Sequence, residues 1–142
     1  MTTELWQLEA TETARLVRER AVSAAEVTEA HIARIDAVNG KLNAIVVRTD
    51  EHARVQASLI DSGSATGPLA GVAMTTKINT DHVPYVMDNG IAMLKDNLSS
   101  MTHKSIEGLL ADGAVMLGRT NSPSFALRSH TGNDLHGETH NP

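Results

Sequence analysis

Residues 102–117 read Thr102-His-Lys-Ser-Ile-Glu-Gly-Leu-Leu-Ala-Asp-Gly-Ala-Val-Met-Leu117, which is a helix pattern, a glycine and a short apolar run. Ile106, Leu109 and Leu110 are spaced as on one side of a helix, and Gly113 lies where such a helix would end. The apolar run 114–117 is typical of a short buried strand. Helix, glycine and strand in this order form half of a parallel α/β unit, so the sequence predicts an α/β fold with helices packed on a sheet.

The residues before this unit predict a second strand. Residues 69–76 are apolar, contain β-branched members and follow Gly67-Pro68, which favours a strand that ends at Lys77. Residues 78–100 lack a period and are expected to be irregular, and turn residues beyond Arg119 predict loops to the end of the chain.

The first part of the chain predicts mainly helices. One helix is expected over residues 10–22, and a second begins at the capping box Ser23-Ala-Ala-Glu26 and stops at Asn39-Gly40. A strand is expected over residues 42–47, and Asp50 is expected to cap a third helix that runs to about Ile60. The turn-rich residues 62–68 then link this helical lead-in, residues 1–61, to the start of a core sheet, residues 69–142.

Composition excludes several classes of protein. The chain has 142 residues, which suits a single domain, and it carries a net charge of -5 with 2% aromatic residues. An acidic chain that is poor in aromatics lacks both the charge and the stacking platforms for nucleic acid. Without cysteine it has no disulfide, thiolate metal site or cysteine nucleophile. Because it shows neither a secretory signal nor an apolar run near the roughly 20 residues that span a bilayer, we expect a cytoplasmic protein without a membrane partner.

Two groups of residues are candidates for chemistry. Lys77 ends an apolar strand, where desolvation would favour the neutral amine and allow it to act as a base; the alternative is an ordinary lysine at an exposed strand end. The C-terminal segment is rich in histidine and acid, and in an extended chain His136, Glu138 and His140 would share one face. Gly137 favours a turn with solvated histidines instead, so we expect no metal site.

The chain lacks the glycine and serine motifs of nucleotide-binding proteins and of hydrolases with a nucleophile elbow. No P-loop spacing and no Gly-x-Gly-x-x-Gly after a strand occurs, so a phosphate cradle is unsupported. No Gly-x-Ser-x-Gly elbow occurs either.

Several blocks of the chain, in this order and with these gaps, resemble the amidase signature family. They are Ala37-Val-Asn-Gly-Lys-Leu-Asn-Ala44, Gly67-Pro-Leu-Ala-Gly-Val-Ala-Met-Thr-Thr-Lys-Ile-Asn79, Leu94-Lys-Asp96, Asp112-Gly-Ala-Val-Met-Leu-Gly-Arg-Thr-Asn-Ser-Pro-Ser-Phe-Ala-Leu127, His130-Thr-Gly-Asn133 and Gly137-Glu-Thr-His-Asn-Pro142. The resemblance implies a mixed α/β fold around a central sheet, in which a Ser–cis-Ser–Lys triad hydrolyses or transfers carboxamides without a cofactor.

The same resemblance implies roles for particular residues. The family's lysine lies in the block that matches Lys77, which would be the general base that activates the nucleophilic serine through a bridging serine. The family's substrate-lining wall draws on the stretch that matches Phe125 to Arg128, so Leu127 and Arg128 are candidate substrate-binding positions; the alternative is that both side chains only pack within a loop.

The chain also departs from the family pattern. The two triad serines and their glycine-rich loop follow the Asn-Pro block in the family, and no serine here matches their motif. Ala73 stands where proline is usual, Ile78 where aspartate is common, and Arg128 where a small residue is frequent. Ile78 would make the surroundings of the lysine less polar, and Arg128 would favour acidic substrates.

Three hypotheses follow from these observations. In the first, residues 1–142 are the N-terminal part of a single, incomplete amidase domain that supplies Lys77 but is inactive alone on its small-molecule amide. In the second, the chain is a non-catalytic module that forms a homo-oligomer or pairs with a complementing chain that carries the serines, because half of a sheet leaves an unpaired edge. The third is the C-terminal metal site.

Overall fold

The computed structural model describes residues 4–142 and divides them into two compact units. Unit 1 comprises the described residues through Ala37, together with Thr49–Met74 and Gly108–Leu117. Unit 2 comprises Val38–Arg48, Thr75–Glu107 and Gly118–Pro142. The predicted link, residues 62–68, lies inside unit 1. Among the described residues, no helix is long and apolar enough to cross a bilayer.

Four α-helices and five strands make up the regular structure of the described residues. The helices are α1 (Ala10–Arg18), α2 (Ala24–Leu42), α3 (Asp50–Asp61) and α4 (Lys104–Ala111). The strands are β1 (Ile45–Arg48), β2 (Ala73–Lys77), β3 (Val115–Thr120), β4 (Gly132–Asn133) and β5 (Gly137–Glu138), and short 3-10 turns occur at Leu5–Gln7, Ala92–Leu94 and Ser124–Ala126. Helices and strands alternate from α2 to β3, which confirms the predicted α/β class.

Strands β1, β3 and β2 form a mixed sheet with β3 in the centre. The β1–β3 pair is antiparallel and matches Arg48 with Gly118. The β2–β3 pair is parallel, because Val115 N donates to Val72 O at 2.8 Å and Ile78 N donates to Thr120 O at 2.9 Å, so residue numbers rise in the same direction along both strands. The predicted helix–glycine–strand unit is confirmed, and β3 extends to Thr120, beyond the expected apolar run 114–117.

Unit 1 is built on helix packing through small side chains. Val17 of α1, Ala24 and Val27 of α2 and Ala57 of α3 form one buried cluster. The predicted capping box is confirmed, since Glu26 N donates to Ser23 Oγ at 3.0 Å and Ser23 N donates to Glu26 Oε2 at 2.8 Å. The small side chains of the buried cluster let α1, α2 and α3 pack closely against one another.

Three predicted helix boundaries are wrong. Helix α1 ends at Arg18 rather than near residue 22, because Arg20 adopts φ 57 and Ala21 N bonds back to Leu16 O, as in a Schellman motif. Thr49, not Asp50, is the N-cap residue of α3, and its hydroxyl donates to Met116 O at 2.7 Å.

Helix α2 does not stop at Asn39-Gly40 but continues to Leu42, where Asn43 takes φ 50. The side chain of Asn39 bonds forward instead, and its Oδ1 accepts from Ala44 N at 3.0 Å and from Ile45 N at 2.9 Å. The same side chain therefore stabilises the turn that leads into β1 rather than ending the helix.

Unit 2 contains mostly irregular chain, as predicted for residues 78–100 and for those beyond Arg119. Isolated main-chain hydrogen bonds, such as the one that Met87 N donates to Asn97 O at 2.8 Å, stabilise the long loop of residues 78–100. Two short strands were not predicted: β4 and β5 pair antiparallel as a hairpin near the C-terminus. The end of β3 and this hairpin provide the surroundings of Lys77.

Candidate active site

Lys77 is the last residue of β2, and its side chain is exposed. Its Nζ donates a hydrogen bond to the main-chain carbonyl of Asn121, at 3.1 Å. The sequence predicts a desolvated amine at Lys77. In the structure the side chain of Lys77 is exposed, so burial does not desolvate it. Only the neighbouring Ile78 is fully buried. The strand end therefore fixes where the ammonium emerges and leaves its tip accessible.

Arg119 of β3 holds the main chain from which Lys77 projects. Its side chain is fully buried. One terminal nitrogen, Nη2, donates to Lys77 O at 3.0 Å, to Ile78 O at 3.2 Å and to Thr80 O. Burial lowers the pKa of the guanidinium, and the charge of Asp88 opposes that shift. A buried cation that binds three carbonyl groups within residues 77–80 fixes the exit of β2 as a single conformation.

Asn121, directly after β3, organises the other side of Lys77. The residue is buried, and its own Oδ1 accepts from Ser122 N at 2.9 Å. Its Nδ2 donates to Gly137 O at 3.1 Å and to Thr139 Oγ1 at 3.2 Å. The side chain thus bonds to the hairpin while the carbonyl accepts the ammonium of Lys77.

The hairpin is fixed by two further asparagines. Asn133 Oδ1 accepts from Leu135 N at 3.0 Å and from His136 N at 2.7 Å, which closes the turn between β4 and β5. Asn43 Nδ2 donates to His136 O at 2.6 Å and to Glu138 O at 3.0 Å. The hairpin segment that accepts from the Asn121 side chain is therefore held by Asn133 at its turn and by Asn43 along its main chain.

The C-terminal histidines do not gather as a metal site. His136 Nε2 lies 2.9 Å from Asp88 Oδ2, and Glu138 and His140 are exposed. Within residues 4–142, no group of three or more histidine or acidic side chains is arranged to hold a metal ion. Strand β5 covers only two residues and the imidazole of His136 lies beside Asp88, so the structure does not bring His136, Glu138 and His140 together.

Leu127 and Arg128 lie on an exposed segment that follows a strained turn. Phe125 and Ala126 adopt φ values of 52 and 58. Leu127 is 82% exposed, and Arg128 is exposed as well. The structure places both residues in unit 2 with Lys77. Bulky residues in left-handed backbone are uncommon and cluster at functional sites.

Three residues that support Lys77 are not among the site residues predicted from the sequence: Arg119, Asn121 and Asn133. One signal was available for Arg119, because a single arginine inside the apolar run of β3 needs acceptors for its donors once it is buried. The asparagines carried no such signal, since the sequence around them is typical of ordinary turns. Their role depends on pairing between segments that are far apart in the chain.

Comparison with known proteins assigns the family. The family model Amidase matches residues 26–142. The chain belongs to the amidase signature family. It is 39% identical over 142 residues to an indoleacetamide hydrolase of Bradyrhizobium diazoefficiens, an alignment that covers 97% of this chain and 27% of the relative.

Solved amidase structures share the fold. A bacterial aryl acylamidase of the amidase signature family superposes with a TM-score of 0.91 at 29% identity, over 99% of this chain and 30% of its own. A 6-aminohexanoate cyclic dimer hydrolase complexed with substrate superposes with a TM-score of 0.87 at 31% identity, over 99% of this chain and 28% of its own. The chain thus spans less than a third of the length of these amidases.

Proposed function

We propose that this chain supplies the lysine-bearing part of an amide hydrolase, with Lys77 as the general base of a Ser–cis-Ser–Lys triad. The hydrogen bond from Lys77 Nζ to Asn121 O carries the proposal, because it fixes the amine at the end of a strand within the amidase block. The tip of the side chain remains exposed, as a residue that must receive a proton from another group requires.

In the proposed reaction Lys77 acts as a neutral amine. It takes a proton from a bridging serine, which takes one from the nucleophilic serine as that oxygen attacks the amide carbon. The acyl-serine forms, the C–N bond breaks, and the proton returns to the leaving amine before water releases the acid. The two serines and the amides that stabilise the oxyanion are proposed to come from residues outside these 142 or from a second chain.

The proposed substrate is a small-molecule carboxamide. The two relatives named as hydrolases above are a hydrolase of indoleacetamide and a hydrolase of the 6-aminohexanoate cyclic dimer, and both are similar to this chain over nearly all of it. Leu127 and Arg128 are proposed as part of the substrate wall, where an exposed guanidinium would favour substrates that carry an acidic group.

Kinetics of Lys77→Ala test the role of the lysine. In the protein that contains the serines, the substitution should reduce amide hydrolysis by a factor of about 100 to 10,000, as loss of a general base does. Lys95→Ala, an exposed lysine in the same unit, is the matched control and should leave the rate unchanged. Comparable rates for Lys77→Ala and the parent protein would exclude the proposal.

The 142-residue chain alone provides a second test. We expect it to hydrolyse no amide and to take no fluorophosphonate label, because none of its serines matches the triad motif. Labelling of a serine in a pure chain of verified mass would contradict this expectation. The coding sequence after Pro142 bears directly on the source of the serines, since a serine- and glycine-rich loop there would supply them.

A second candidate function is a non-catalytic module that self-associates or binds a chain carrying the serines. Exposed apolar side chains in unit 2 favour it: Met93 is 93% exposed, Leu98 65% and Phe125 55%. Contiguous apolar surface marks interaction sites, and these side chains are the candidates for such a surface. A concentration-dependent rise of molar mass in light scattering is expected, and a monomer at all concentrations would argue against self-association.

A further inference from the structure

The reaction proposed above leaves one buried pair of titratable side chains without a role. The side chain of Asp88 is 1% exposed and that of His136 is 16% exposed, with His136 Nε2 and Asp88 Oδ2 2.9 Å apart. The other oxygen of Asp88 accepts from Gly90 N at 2.7 Å. Burying a carboxylate is costly unless its oxygens are bonded, so the imidazole of His136 stabilises Asp88 and is held by it in return.

This pair continues into the network around the lysine through Asn133. His136 N and Asn133 Oδ1 form the bond that closes the hairpin turn, at 2.7 Å. Asn133 Nδ2 donates to Asn121 Oδ1 at 2.8 Å and to Ser122 O at 2.8 Å. Asn121 O in turn accepts from Lys77 Nζ. An unbroken series of hydrogen bonds and short main-chain segments thus joins Asp88 to the acceptor of the ammonium.

The loop that carries Asp88 also packs directly on Asn133. Gly90 has φ +67, and a Cβ atom at this position would lie 2.8 Å from Asn133 Nδ2 and 2.9 Å from Ser122 O. The bond from Gly90 N to Asp88 Oδ1 holds this close approach in place. Asp88 therefore fixes Asn133 from two sides, through Gly90 and through His136.

We propose that Asp88 and His136 are positioning residues for Lys77: together they hold Asn133, and through it they fix the Asn121 carbonyl that binds the lysine ammonium. The inference rests on the proposed role of Lys77 as the base. It assigns a new role to His136. The sequence alone suggests only a metal ligand or a solvated histidine at this position.

Acylation of individual lysines by the N-hydroxysuccinimide ester of acetic acid tests the effect on Lys77 without any need for activity. The amine must leave the Asn121 carbonyl before it attacks the ester. Loss of this bond in His136→Ala should therefore accelerate labelling of Lys77 about two- to tenfold, the factor that one net hydrogen bond contributes. Mass spectrometry of peptides compares Lys77 with exposed Lys95 in the same sample.

Two variants separate positioning from general disruption. His136→Gln retains an N–H donor that can reach Asp88 and should return Lys77 labelling toward the parent value. His140→Ala changes an exposed histidine of the same segment and should leave labelling unchanged. If His136→Ala loses its circular dichroism signal, Asp88→Asn replaces it, because this variant keeps the size of the side chain while it removes the charge that binds the imidazole.

Kinetics supply the second measurement. In the protein that contains the serines, His136→Ala should lower kcat about ten- to a hundredfold with little change in KM, because misplacement of a reacting group acts on the chemical step. Unchanged kcat and unchanged Lys77 labelling in a folded His136→Ala protein would overturn the positioning role and leave the proposed function intact. Full activity of Lys77→Ala would instead overturn the proposed function, while the labelling ratios would still decide whether Asp88 and His136 hold Lys77.

Discussion

Replacing Arg119 by methionine is the most direct way to test how the end of β2 is held. Methionine has a similar length and is apolar, so Arg119→Met fills most of the space but removes every donor. The carbonyl groups of Lys77, Ile78 and Thr80 then lose the guanidinium that they share. Since Arg119 is fully buried, water cannot easily replace it.

The magnitude follows from opposing contributions. The two N–H groups of Nη2 are shared among the three carbonyl groups, and bonds to a charged donor stabilise by about 1.5–3 kcal/mol each, or about 3–6 kcal/mol together. Methionine avoids the desolvation of a cation, which offsets part of that sum. We expect Arg119→Met to lower the free energy of unfolding by about 2–4 kcal/mol, because buried carbonyl groups left without a donor cost about 1–3 kcal/mol each. That is a large share of the about 5–15 kcal/mol that stabilises a typical protein.

Urea unfolding followed by far-ultraviolet circular dichroism measures this loss. Arg18→Met, which changes an exposed arginine at the end of α1, is the matched control and should stay within about 0.5 kcal/mol of the parent. Arg119→Lys should fall between the two, because an ammonium keeps the charge but cannot span the same carbonyls as a planar guanidinium. A free energy of unfolding for Arg119→Met within about 1 kcal/mol of the parent would refute the reasoning.

Three further predictions concern a glycine, a helix cap and a histidine, and urea unfolding checks each of them. Gly90→Ala should destabilise the protein by about 1–3 kcal/mol, because φ +67 and the contact with Asn133 both oppose a Cβ atom. Gly40→Ala is the control: this residue lies in a helix with open space around it, so the substitution should stabilise the protein by about 0.5–1 kcal/mol. Equal effects of the two substitutions would contradict the argument. Asp61→Asn should cost about 1 kcal/mol, because Asp61 Oδ1 accepts from Ala24 N at 2.7 Å at the start of α2, and a neutral amide interacts less well with that helix end. Burial lowers the pKa of His31 below 6.5, so the unfolded chain binds the proton first and stability falls as the pH drops below that value. His31→Leu should make the curve of stability against pH flatter there, and an unchanged slope would count against the burial argument.

The α/β class and the order of elements could be predicted because they depend on local patterns. The helix period of residues 104–111, the glycine after it and the apolar run of β3 are all adjacent in sequence. The Ser23–Glu26 capping box likewise depends on residues three positions apart. For such features, local chemistry and tertiary structure favour the same conformation, which makes the pattern reliable.

Boundaries failed where a side chain found a distant or unexpected partner. Asn39 was interpreted as a helix stop because asparagine followed by glycine favours one, but its side chain bonds forward to Ala44 and Ile45. Thr49, not Asp50, is the N-cap residue of α3, yet its side chain makes no cap hydrogen bond, and its hydroxyl donates to Met116 O, 67 residues away. Patterns within a window of residues carry no information about such partners.

The candidate site was predictable only at Lys77, through resemblance to a family. The support around it comes from Arg119, Asn121 and Asn133, whose bonds cross tens of residues or join two turns. The exposure of Lys77 also differs from the expected desolvation, because the apolar pattern before it describes the strand and not what lies over its end.

The position of β3 in the centre of the sheet explains why one short segment supports the lysine twice. Because β2 pairs in parallel with β3, both strands end at the same edge, and Arg119 and Asn121 arrive beside Lys77 at that edge. Arg119 binds the main chain of Lys77 through its side chain, whereas Asn121 binds the side chain of Lys77 through its main chain. The two contacts restrain different parts of the lysine, so loss of Arg119 should move the strand end, whereas loss of the Asn121 side-chain bonds should free the ammonium and leave β2 in place. Separate effects of Arg119→Met on stability and of His136→Ala on Lys77 labelling are therefore what this sheet order requires.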